Sequence, residues 1–228
     1  MKLSIVVPAY NEEATILKLL KKVNAVKLRG ITKEIIVVDD GSKDKTRELL
    51  KNNKKLYNKL ILKKNGGKGS AVRRGMKEAT GDFLIIQDAD LEYNPEDYKL
   101  MLEPIIKGEV KVTYGSRFFL TDNHKYFLPL HYFGNKFLSL ISSVLFFRYI
   151  SDMETCYKCM AKEVYKSLKL TENDFRIEPE ITAKIIKAGY AIKEVTIHYN
   201  PRDFSEGKKI SWKDGVKAAI ALVKYRFT

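Results

Sequence analysis

The sequence predicts an α/β fold in which a mostly parallel sheet carries helices on both faces. Short apolar runs rich in β-branched residues alternate with segments of helical periodicity through residues 1–116, which is the order of repeated strand–helix–strand units. Polar motifs directly follow several of these runs. Ligands of such sheets bind beyond the carboxyl ends of the strands, so these motifs point to a site at that edge.

The first half is expected to contain strands and helices in alternation. The run at 3–8 is continuously apolar, and the helix at 11–23 follows because its apolar residues recur every three or four positions. The β-branched strand at 34–39 ends in the turn Asp40-Gly41-Ser42. The same patterns predict further strands at 59–62, 82–87 and 110–115, and further helices at 46–51, at 70–79 and near 95–106.

The second half changes in character and is predicted to add amphipathic helices. Residues 126–150 are rich in Phe, Tyr and Leu with few acids, which favours one or two such helices. A polar-to-aromatic segment at 151–160 precedes a helix at 174–188, a strand at 190–199 and an amphipathic terminal helix at 212–225. No repeat or low-complexity linker interrupts the chain, so a single domain is expected.

Composition places the chain among globular proteins with an anionic partner. It has 42 Lys and Arg against 28 Asp and Glu, a net charge of +14, and 45% hydrophobic residues, which excludes a disordered chain. Such a charge suits nucleic acid, an anionic membrane surface or phosphorylated substrates. A basic cluster at 42–74, with twelve cations against two acids, is interpreted as mostly a solvated surface.

Cysteine content and hydropathy exclude several other classes. Cys156 and Cys159 cannot staple a chain of this length, and the histidines are not spaced to complete a zinc site with them. No apolar stretch reaches the roughly 20 residues of a membrane span, and the N-terminal run is too short for a signal peptide. A soluble or peripheral protein is therefore expected.

The motif Asp88-Ala89-Asp90 follows a strongly apolar strand. Carboxylates two positions apart point the same way if strand geometry persists, and Glu92 adds a third oxygen donor at the same spacing. Hard oxygen ligands at an open strand end suit Mg²⁺ or Mn²⁺ held jointly with substrate phosphates. The alternative is that these are ordinary turn or surface acids.

Two more motifs follow strands. Asp39-Asp40-Gly41-Ser42 is either a turn that caps the next helix or a place where one carboxylate accepts from a nucleobase. The segment from Gly66 to Ser70 opens a helix, so its backbone N–H groups could meet a phosphate, although it is not a Walker A loop. Lys68 and Arg73 could lie near a diphosphate, whereas Arg74 could equally be exposed.

Together these motifs resemble those of family 2 glycosyltransferases of the GT-A fold. The early motifs that carry the resemblance are Pro8-Ala9-Tyr10-Asn11-Glu12, Asp39-Asp40-Gly41-Ser42, Gly67-Lys68-Gly69, Asp88-Ala89-Asp90-Leu91-Glu92 and Gly115-Ser116-Arg117. The later ones resemble the polyprenyl-phosphate branch, which includes dolichyl-phosphate mannose synthases: Asp152-Met153-Glu154-Thr155-Cys156-Tyr157-Lys158, Tyr199-Asn200-Pro201-Arg202 and Gly207-Lys208-Lys209-Ile210-Ser211-Trp212.

The resemblance implies roles for individual residues. Those implied for the donor are Pro8, Tyr10, Glu12, Val38, Asp40, Lys68, Asp88 and Ala89. Those implied for the metal, Mg²⁺ or Mn²⁺, are Asp88, Asp90 and Glu92, and those implied for the acceptor phosphate are Arg117, His131, Arg202, Lys208 and Lys209. The resemblance implies catalytic roles for Asp90, Arg117 and Arg202. Relatives commonly carry Arg in the helix after the Gly-Ser-Arg motif, where this chain has His131 and Lys136.

The resemblance also implies a reaction. A hexose, mannose or glucose, would pass from a GDP- or UDP-sugar to a polyprenyl or dolichyl phosphate with inversion at the anomeric carbon. Residues 1–116 would bind the donor and residues 117–228 the acceptor. Because a phosphate monoester is already ionised near neutral pH, no strong general base is required. The aromatic helices imply peripheral attachment to an anionic membrane surface, on its cytoplasmic face.

Two alternatives remain open. One is a family 2 glycosyltransferase that acts on a glycan or another soluble acceptor, and the other is a non-catalytic protein that binds nucleic acid through its cations. The second is disfavoured because no recognition helix, RNP strand or zinc finger is evident, and acids occupy the strand ends where a polyanion would dock. Nucleic acid is therefore not expected as a partner.

Overall fold

A seven-stranded sheet organises the chain. The computed structural model describes residues 1–118, 129–202 and 212–228, with the backbone alone at 129–132 and 212. The strands are β1 (Lys2–Ala9), β2 (Thr32–Asp39), β3 (Lys59–Leu62), β4 (Phe83–Ile86), β5 (Val112–Ser116), β6 (Lys158–Ala161) and β7 (Ile192–Thr196). Their order across the sheet is β3-β2-β1-β4-β6-β5-β7.

The predicted mostly parallel topology is confirmed. β1 pairs in parallel with β2 and β4, β2 with β3, and β5 with β7. β6 is the exception, because it runs antiparallel between β4 and β5. This strand, in the segment 151–160 that was given no regular structure, joins the two parallel groups into one sheet.

Helices cover both faces of the sheet. They are α1 (Ile16–Ala25), α2 (Thr46–Asn52), α3 (Lys68–Glu78), α4 (Tyr98–Ile106), α5 (Pro129–Phe146), α6 (Lys162–Ser167), α7 (Ile177–Lys187) and α8 (Trp212–Phe227). Short 3₁₀ turns lie at Lys54–Leu56 and Pro95–Asp97. The short helix α6 was not predicted. The helix expected at 11–23 begins only at Ile16, because Asn11 adopts a positive φ of 53° and residues 12–15 form a turn.

The core lies between the sheet and its helices. The central strands β1 and β4 are almost entirely buried apolar residues, as expected for strands covered on both faces. α3 packs closely over β1 and β2 at Gly75, where a Cβ atom would lie 2.3 Å from Val6 Cγ1. A glycine is therefore needed for this helix to sit where its N-terminus reaches the carboxyl ends of the strands.

The second half places α5 and α8 against each other, beside α7. The predicted amphipathic helices at 126–150 and 212–225 are thus confirmed in their described parts. Within residues 1–118, 129–202 and 212–228, none of the helices has the length and apolar character needed to cross a bilayer.

Candidate active site

The segments that follow β1, β2 and β4 meet at one end of the sheet, which we call the carboxyl edge. The sequence indicated this edge, and the structure brings Glu12, Asp90 and Glu92 together there through Arg202. The Arg202 Nε–H donates to the Asp90 carbonyl at 2.7 Å, and its Nη2–H to Glu12 Oε2 at 3.0 Å. Its backbone N–H donates to Glu92 Oε1 at 2.8 Å. Arg202 therefore ties the ends of β1 and β4 together.

The segment 88–92 is held from below by a buried amide. Tyr98 and Tyr157 both donate their hydroxyl protons to Gln87 Oε1, at 2.7 and 2.5 Å, and Gln87 Nε2 donates to the Asp88 carbonyl at 3.0 Å. Because a buried amide must satisfy its polar atoms, this triad fixes where the segment leaves β4. Ala89 is buried next to it, and Val38 is fully buried in β2, so both shape the edge from beneath.

The strand geometry assumed for the three acids does not persist. β4 ends at Ile86, and the chain then turns, with Leu91 at a positive φ of 66°. Alternation along a strand is thus the wrong reason for their proximity. They are still neighbours electrostatically: burial, followed by the charges of Asp88 and Glu92, raises the pKa of the half-buried Asp90 to about 8.

Asp88 is paired with the first residue of α3. Lys68 Nζ lies 3.0 Å from Asp88 Oδ2 and 2.7 Å from Cys156 Sγ. Burial alone would lower the pKa of Lys68, but Asp88, the Cys156 sulfur and Glu178 together raise it well above its usual value. A protonated Lys68 thus stands beside the first acid of the motif, and its contact with a diphosphate stays a prediction.

Three backbone N–H groups at the N-terminus of α3 are already paired within the protein. The Gly66 and Gly67 N–H groups donate to the Asp40 carboxylate at 3.0 and 2.8 Å. The Ser70 N–H donates to the Asn173 carbonyl at 3.0 Å. Gly67 has a φ of 91°, and a Cβ there would lie 2.5 Å from that carbonyl. The hypothesis of a phosphate on these N–H groups is therefore not supported by this geometry.

Asp40 organises the loop before α3. Besides the two glycine N–H groups, its carboxylate accepts from Lys63 Nζ. Its neighbour Asp39 accepts from Ser42 N–H at 3.1 Å and from Arg47 Nε at 2.7 Å. Pro8 and Tyr10 lie half-buried at the end of β1. The nucleobase contact predicted for Asp40 stays a prediction.

Comparison with known proteins assigns the family. The profile of Glycosyl transferase family 2 matches residues 4–168. The chain belongs to this family. The resemblance drawn from the motifs is thereby confirmed.

Named relatives of this family 2 chain include enzymes of dolichyl phosphate. It is 32% identical over 214 residues to a dolichol-phosphate mannosyltransferase of Pyrococcus furiosus, which covers 91% of this chain and 59% of that protein. It is 33% identical over 242 residues to a dolichyl-phosphate beta-glucosyltransferase, ALG5A, of Trichomonas vaginalis, covering 97% of this chain and 72% of the relative. The chain thus spans less than two thirds of the Pyrococcus protein.

Solved structures confirm the GT-A-like fold of the family 2 chain. Glucosyl-3-phosphoglycerate synthase of Mycobacterium tuberculosis, crystallised with Mn²⁺, UDP and glucosyl-3-phosphoglycerate, superposes with a TM-score of 0.75 at 19% identity. The match covers 99% of this chain and 79% of that one. The same synthase has been crystallised with Mg²⁺ and UDP, at a TM-score of 0.73 and 18% identity.

The donor set at the carboxyl edge fits a divalent cation. Asp90 lies near the like charges of Asp88 and Glu92, and its pKa is raised. A divalent cation, which prefers oxygen ligands, would offset this negative charge. Glu92 accepts from the Tyr199 hydroxyl at 2.8 Å as well as from Arg202. Among the described residues, no three His, Cys, Asp or Glu side chains form a ready metal-binding group. Joint coordination with substrate phosphates would complete such a site.

Arg117 of this glycosyltransferase lies in the interior. Its Nε–H and Nη2–H donate to Asp152 Oδ2 and Oδ1, both at 2.7 Å, and its backbone N–H donates to Oδ2 at 3.0 Å. Its guanidinium lies 5.2 Å from the centre of the Tyr199 ring. As described, Arg117 supports the edge from behind, and its predicted grip on the acceptor phosphate stays a prediction.

Three of the residues predicted to bind the acceptor phosphate are described by the structure only in part or not at all. His131 falls in α5 at a position where the backbone alone is described, and Lys208 and Lys209 lie outside the described residues. Lys136, the other cation noted in that helix, has its Nζ 4.3 Å from the centre of the Phe118 ring. The Arg117 guanidinium lies 5.7 Å from the centre of the same ring, so both cations contact Phe118.

Residue-level reasoning missed the buried acids that support the site. Asp152, Glu178 and Glu154 received no role, although Asp152 and Glu154 stand in a motif that carried the resemblance. Asp152 and Glu178 pair with cations that are distant in sequence. Glu154 Oε1 is buried and has no hydrogen-bond partner among the described residues. Burial, followed by the charge of Glu178, raises the pKa of Glu154 to about 7. No local pattern marks such acids.

Proposed function

We propose that this chain transfers a hexose, mannose or glucose, from a GDP- or UDP-sugar to a polyprenyl or dolichyl phosphate with Mg²⁺ or Mn²⁺. The observation that carries the proposal is the charge arrangement at the carboxyl edge. Asp90 is crowded by Asp88 and Glu92, while Lys68 and Arg202 stand directly beside them. A diphosphate bound together with a divalent cation matches that mixture of charges. The names of the relatives support the lipid phosphate acceptor.

On the donor side, Asp88 and Asp90 would hold the cation, with Glu92 as a third ligand. When bound, Mg²⁺ or Mn²⁺ supplies a Lewis acid that offsets the charge growing on the departing diphosphate. Lys68 offers an ammonium group to the same diphosphate, and Arg202 orients the segment through the Asp90 carbonyl. Pro8, Tyr10, Glu12, Val38 and Asp40 are proposed to form the nucleoside side of the site, within residues 1–116.

On the acceptor side, residues 117–228 would present the lipid phosphate. One of its oxygens attacks the anomeric carbon as the bond from that carbon to the diphosphate oxygen breaks, so a single displacement inverts the centre. Arg202 stands at the edge where this phosphate would arrive, and Arg117 lies behind it. His131, Lys208 and Lys209 remain proposed partners. The phosphate is ionised near neutral pH, so positioning and charge carry the catalysis.

The helices α5 and α8 support a peripheral membrane attachment. Each exposes an apolar stripe at helical spacing: Phe133, Phe137, Leu140 and Val144 on α5, and Val216, Ile220, Val223 and Phe227 on α8. The two helices pack together, and the Arg226 guanidinium lies 5.8 Å from the centre of the exposed Phe147 ring. Apolar stripes flanked by cations suit the headgroup level of an anionic bilayer. We place this contact on the cytoplasmic face.

A donor and acceptor panel tests the proposed function. The chain is incubated with radiolabelled UDP-glucose or GDP-mannose, with Mn²⁺, and with polyprenyl phosphate or a soluble glycan, and the label is followed into the organic phase. We expect label in the lipid fraction with one donor, dependent on polyprenyl phosphate and abolished by EDTA. Transfer only to the soluble glycan would establish the alternative acceptor class, and no transfer from any donor would contradict the proposal.

A further inference from the structure

A buried carboxylate on α7 links the two halves of the site. Glu178 is only 2% exposed and lies between two lysines. Its Oε1 is 3.2 Å from Lys68 Nζ, and its Oε2 accepts from Lys158 Nζ. Among the described residues proposed to touch substrate, Glu178 contacts Lys68 alone. The proposed reaction does not use Glu178 directly. Through its two contacts, Glu178 connects Lys68 on the donor side with Lys158 in the acceptor half.

Lys68 is the point where this link reaches the carboxyl edge. Its ammonium group is held by Asp88 and Glu178 together, at 3.0 and 3.2 Å, and it also donates to Cys156 Sγ. The side chain is only 12% exposed. A long lysine side chain loses considerable rotamer freedom when it is held in one place, so two opposing carboxylates are a means of fixing it.

Lys158 is a rigid anchor at the other end. It is fully buried at the start of β6. Its ammonium group donates to the Met153 carbonyl at 3.1 Å and to the Thr155 carbonyl, and lies 4.9 Å from the centre of the Tyr114 ring. Glu178 is thus fixed from the sheet side, and it can in turn fix Lys68.

The charges alternate along the chain of contacts from Asp88 through Lys68 and Glu178 to Lys158. Burial alone would raise the pKa of Glu178, but Lys158 and Lys68 together lower it, so the carboxylate is ionised. Without that negative charge, two buried ammonium groups would face each other across the gap. An uncompensated buried charge is costly, and Lys68, being nearer the surface, is the one that can move away.

We propose that Glu178 is a positioning residue that holds the Lys68 ammonium group beside Asp88, where it meets the diphosphate of the nucleotide. This inference rests on the proposed donor-binding role of Lys68 and Asp88. Glu178 acts through Lys68 and touches no substrate. Its removal therefore weakens nucleotide binding even where the fold is intact.

The test compares Glu178→Gln with Glu180→Gln by calorimetric titration with UDP and with GDP, each in the presence of Mn²⁺. Glu180 is the matched control because it is a fully buried carboxylate of the same helix, paired with Lys184 and with the Thr171 and Glu172 N–H groups. We expect Glu178→Gln to lose about tenfold in affinity for the nucleotide that the wild type binds, the order seen for residues that support a binding group. Glu180→Gln should leave that affinity unchanged.

A double-mutant cycle separates action through Lys68 from a general structural effect. In a Lys68→Met background, Glu178→Gln should cause no further loss of nucleotide affinity. Additive losses would overturn the inference, as would unchanged affinity in a folded Glu178→Gln variant or a wild type that binds neither nucleotide. If Glu178→Gln does not fold, the double variant Lys158→Met/Glu178→Gln is used instead, because it removes both buried charges. We expect the same loss of nucleotide affinity from it, and unchanged affinity would overturn the inference.

Nucleotide titration does not require a lipid acceptor. If the donor and acceptor panel shows no transfer to polyprenyl phosphate while Glu178→Gln still loses affinity through Lys68, the proposed acceptor fails and the positioning role stands. If transfer occurs and nucleotide affinity is unaffected by Glu178→Gln, the proposed acceptor stands and the positioning role of Glu178 fails.

Discussion

Asp152 and Asp90 lie in different regions of the molecule and differ in burial and in charge pairing. The comparison separates a structural role from a proposed ligand-binding role. Asp152 is fully buried and matched by the Arg117 guanidinium through two parallel hydrogen bonds. Asp90 is half-buried at the carboxyl edge, where the charges of Asp88 and Glu92 raise its pKa and that of Arg202 opposes them. Both residues lie in motifs that carry the family resemblance, yet their surroundings are opposite.

The difference distinguishes a support from a ligand-binding group. A buried carboxylate with a full set of donors stabilises the fold around it, because removing either partner leaves an uncompensated charge. Carboxylates crowded without enough donors gain most from a cation that arrives with the ligand. Arg117 and Asp152 thus form the support behind the site, while Asp88 and Asp90 are the residues proposed to bind the ligand.

The largest effect that this comparison predicts is on stability. Asp152→Asn should lower the free energy of unfolding by about 3–5 kcal/mol, because it leaves the Arg117 charge buried without its partner. For a chain of this size that corresponds to a fall in Tm of about 10 °C. Asp90→Asn is the matched variant and, in metal-free buffer, should not lower Tm. Equal melting temperatures for Asp152→Asn and the wild type would contradict the assignment of Asp152 as a support.

Unlike Asp152, the buried Glu154 has a raised pKa, and this predicts that the stability of the fold depends on pH. Its pKa is raised from 4.5 to about 7 in the folded protein, so between these values the folded state holds a proton that the unfolded state has released. Its stabilising contribution is complete below pH 4.5 and is lost as the pH rises to 7.

Glu154→Gln should remove this loss. Relative to the wild type, the variant gains up to about 3 kcal/mol above pH 7, because each pKa unit corresponds to about 1.4 kcal/mol. Urea unfolding between pH 4.5 and 8 measures it, with the exposed Glu163→Gln as a control that keeps the wild-type slope. A wild-type slope in Glu154→Gln as well would show that Glu154 is not the group responsible.

The smallest effect concerns the exposed stripes of α5 and α8, which contribute nothing to the support behind the site. Phe137→Ser or Ile220→Ser should each weaken binding to anionic liposomes about tenfold, since burying one such side chain is worth roughly 1.5–3 kcal/mol. Tm should stay unchanged because both side chains are exposed. The control is Ile106→Ser on α4, also exposed. If it weakens liposome sedimentation as much as Phe137→Ser does, the stripes are not the membrane contact.

The first half could be predicted from the sequence because its signals are local. The strands β1 and β2 are continuous apolar runs, and β3 has the predicted bounds. Asp88, Asp90 and Lys68 could be singled out because they follow strands or open a helix. Arg202 could be placed only through the resemblance, since the contacts that bring it to Asp90 cross 112 positions of the chain.

The second half depends on contacts that no local pattern carries. β6 begins with Lys158, whose buried charge is balanced by Glu178, 20 positions later. The ion pair of Arg117 with Asp152, 35 positions away, could not be predicted from residue spacing. The pairing of the Ser70 N–H in the first turn of α3 with the Asn173 carbonyl could not be predicted for the same reason.

The central claim is that the acids of the carboxyl edge bind a nucleotide diphosphate together with a divalent cation. Calorimetric titration of UDP and GDP, with and without Mn²⁺, into the wild type, Asp90→Asn and Asp82→Asn tests it most directly. Asp82 is the control because it lies at the opposite end of β4, where it accepts from the Lys2 N–H. We predict Mn²⁺-dependent binding by the wild type and Asp82→Asn, and a loss of at least about tenfold in Asp90→Asn. Nucleotide binding that is independent of Mn²⁺, or unaffected by Asp90→Asn, would contradict the account.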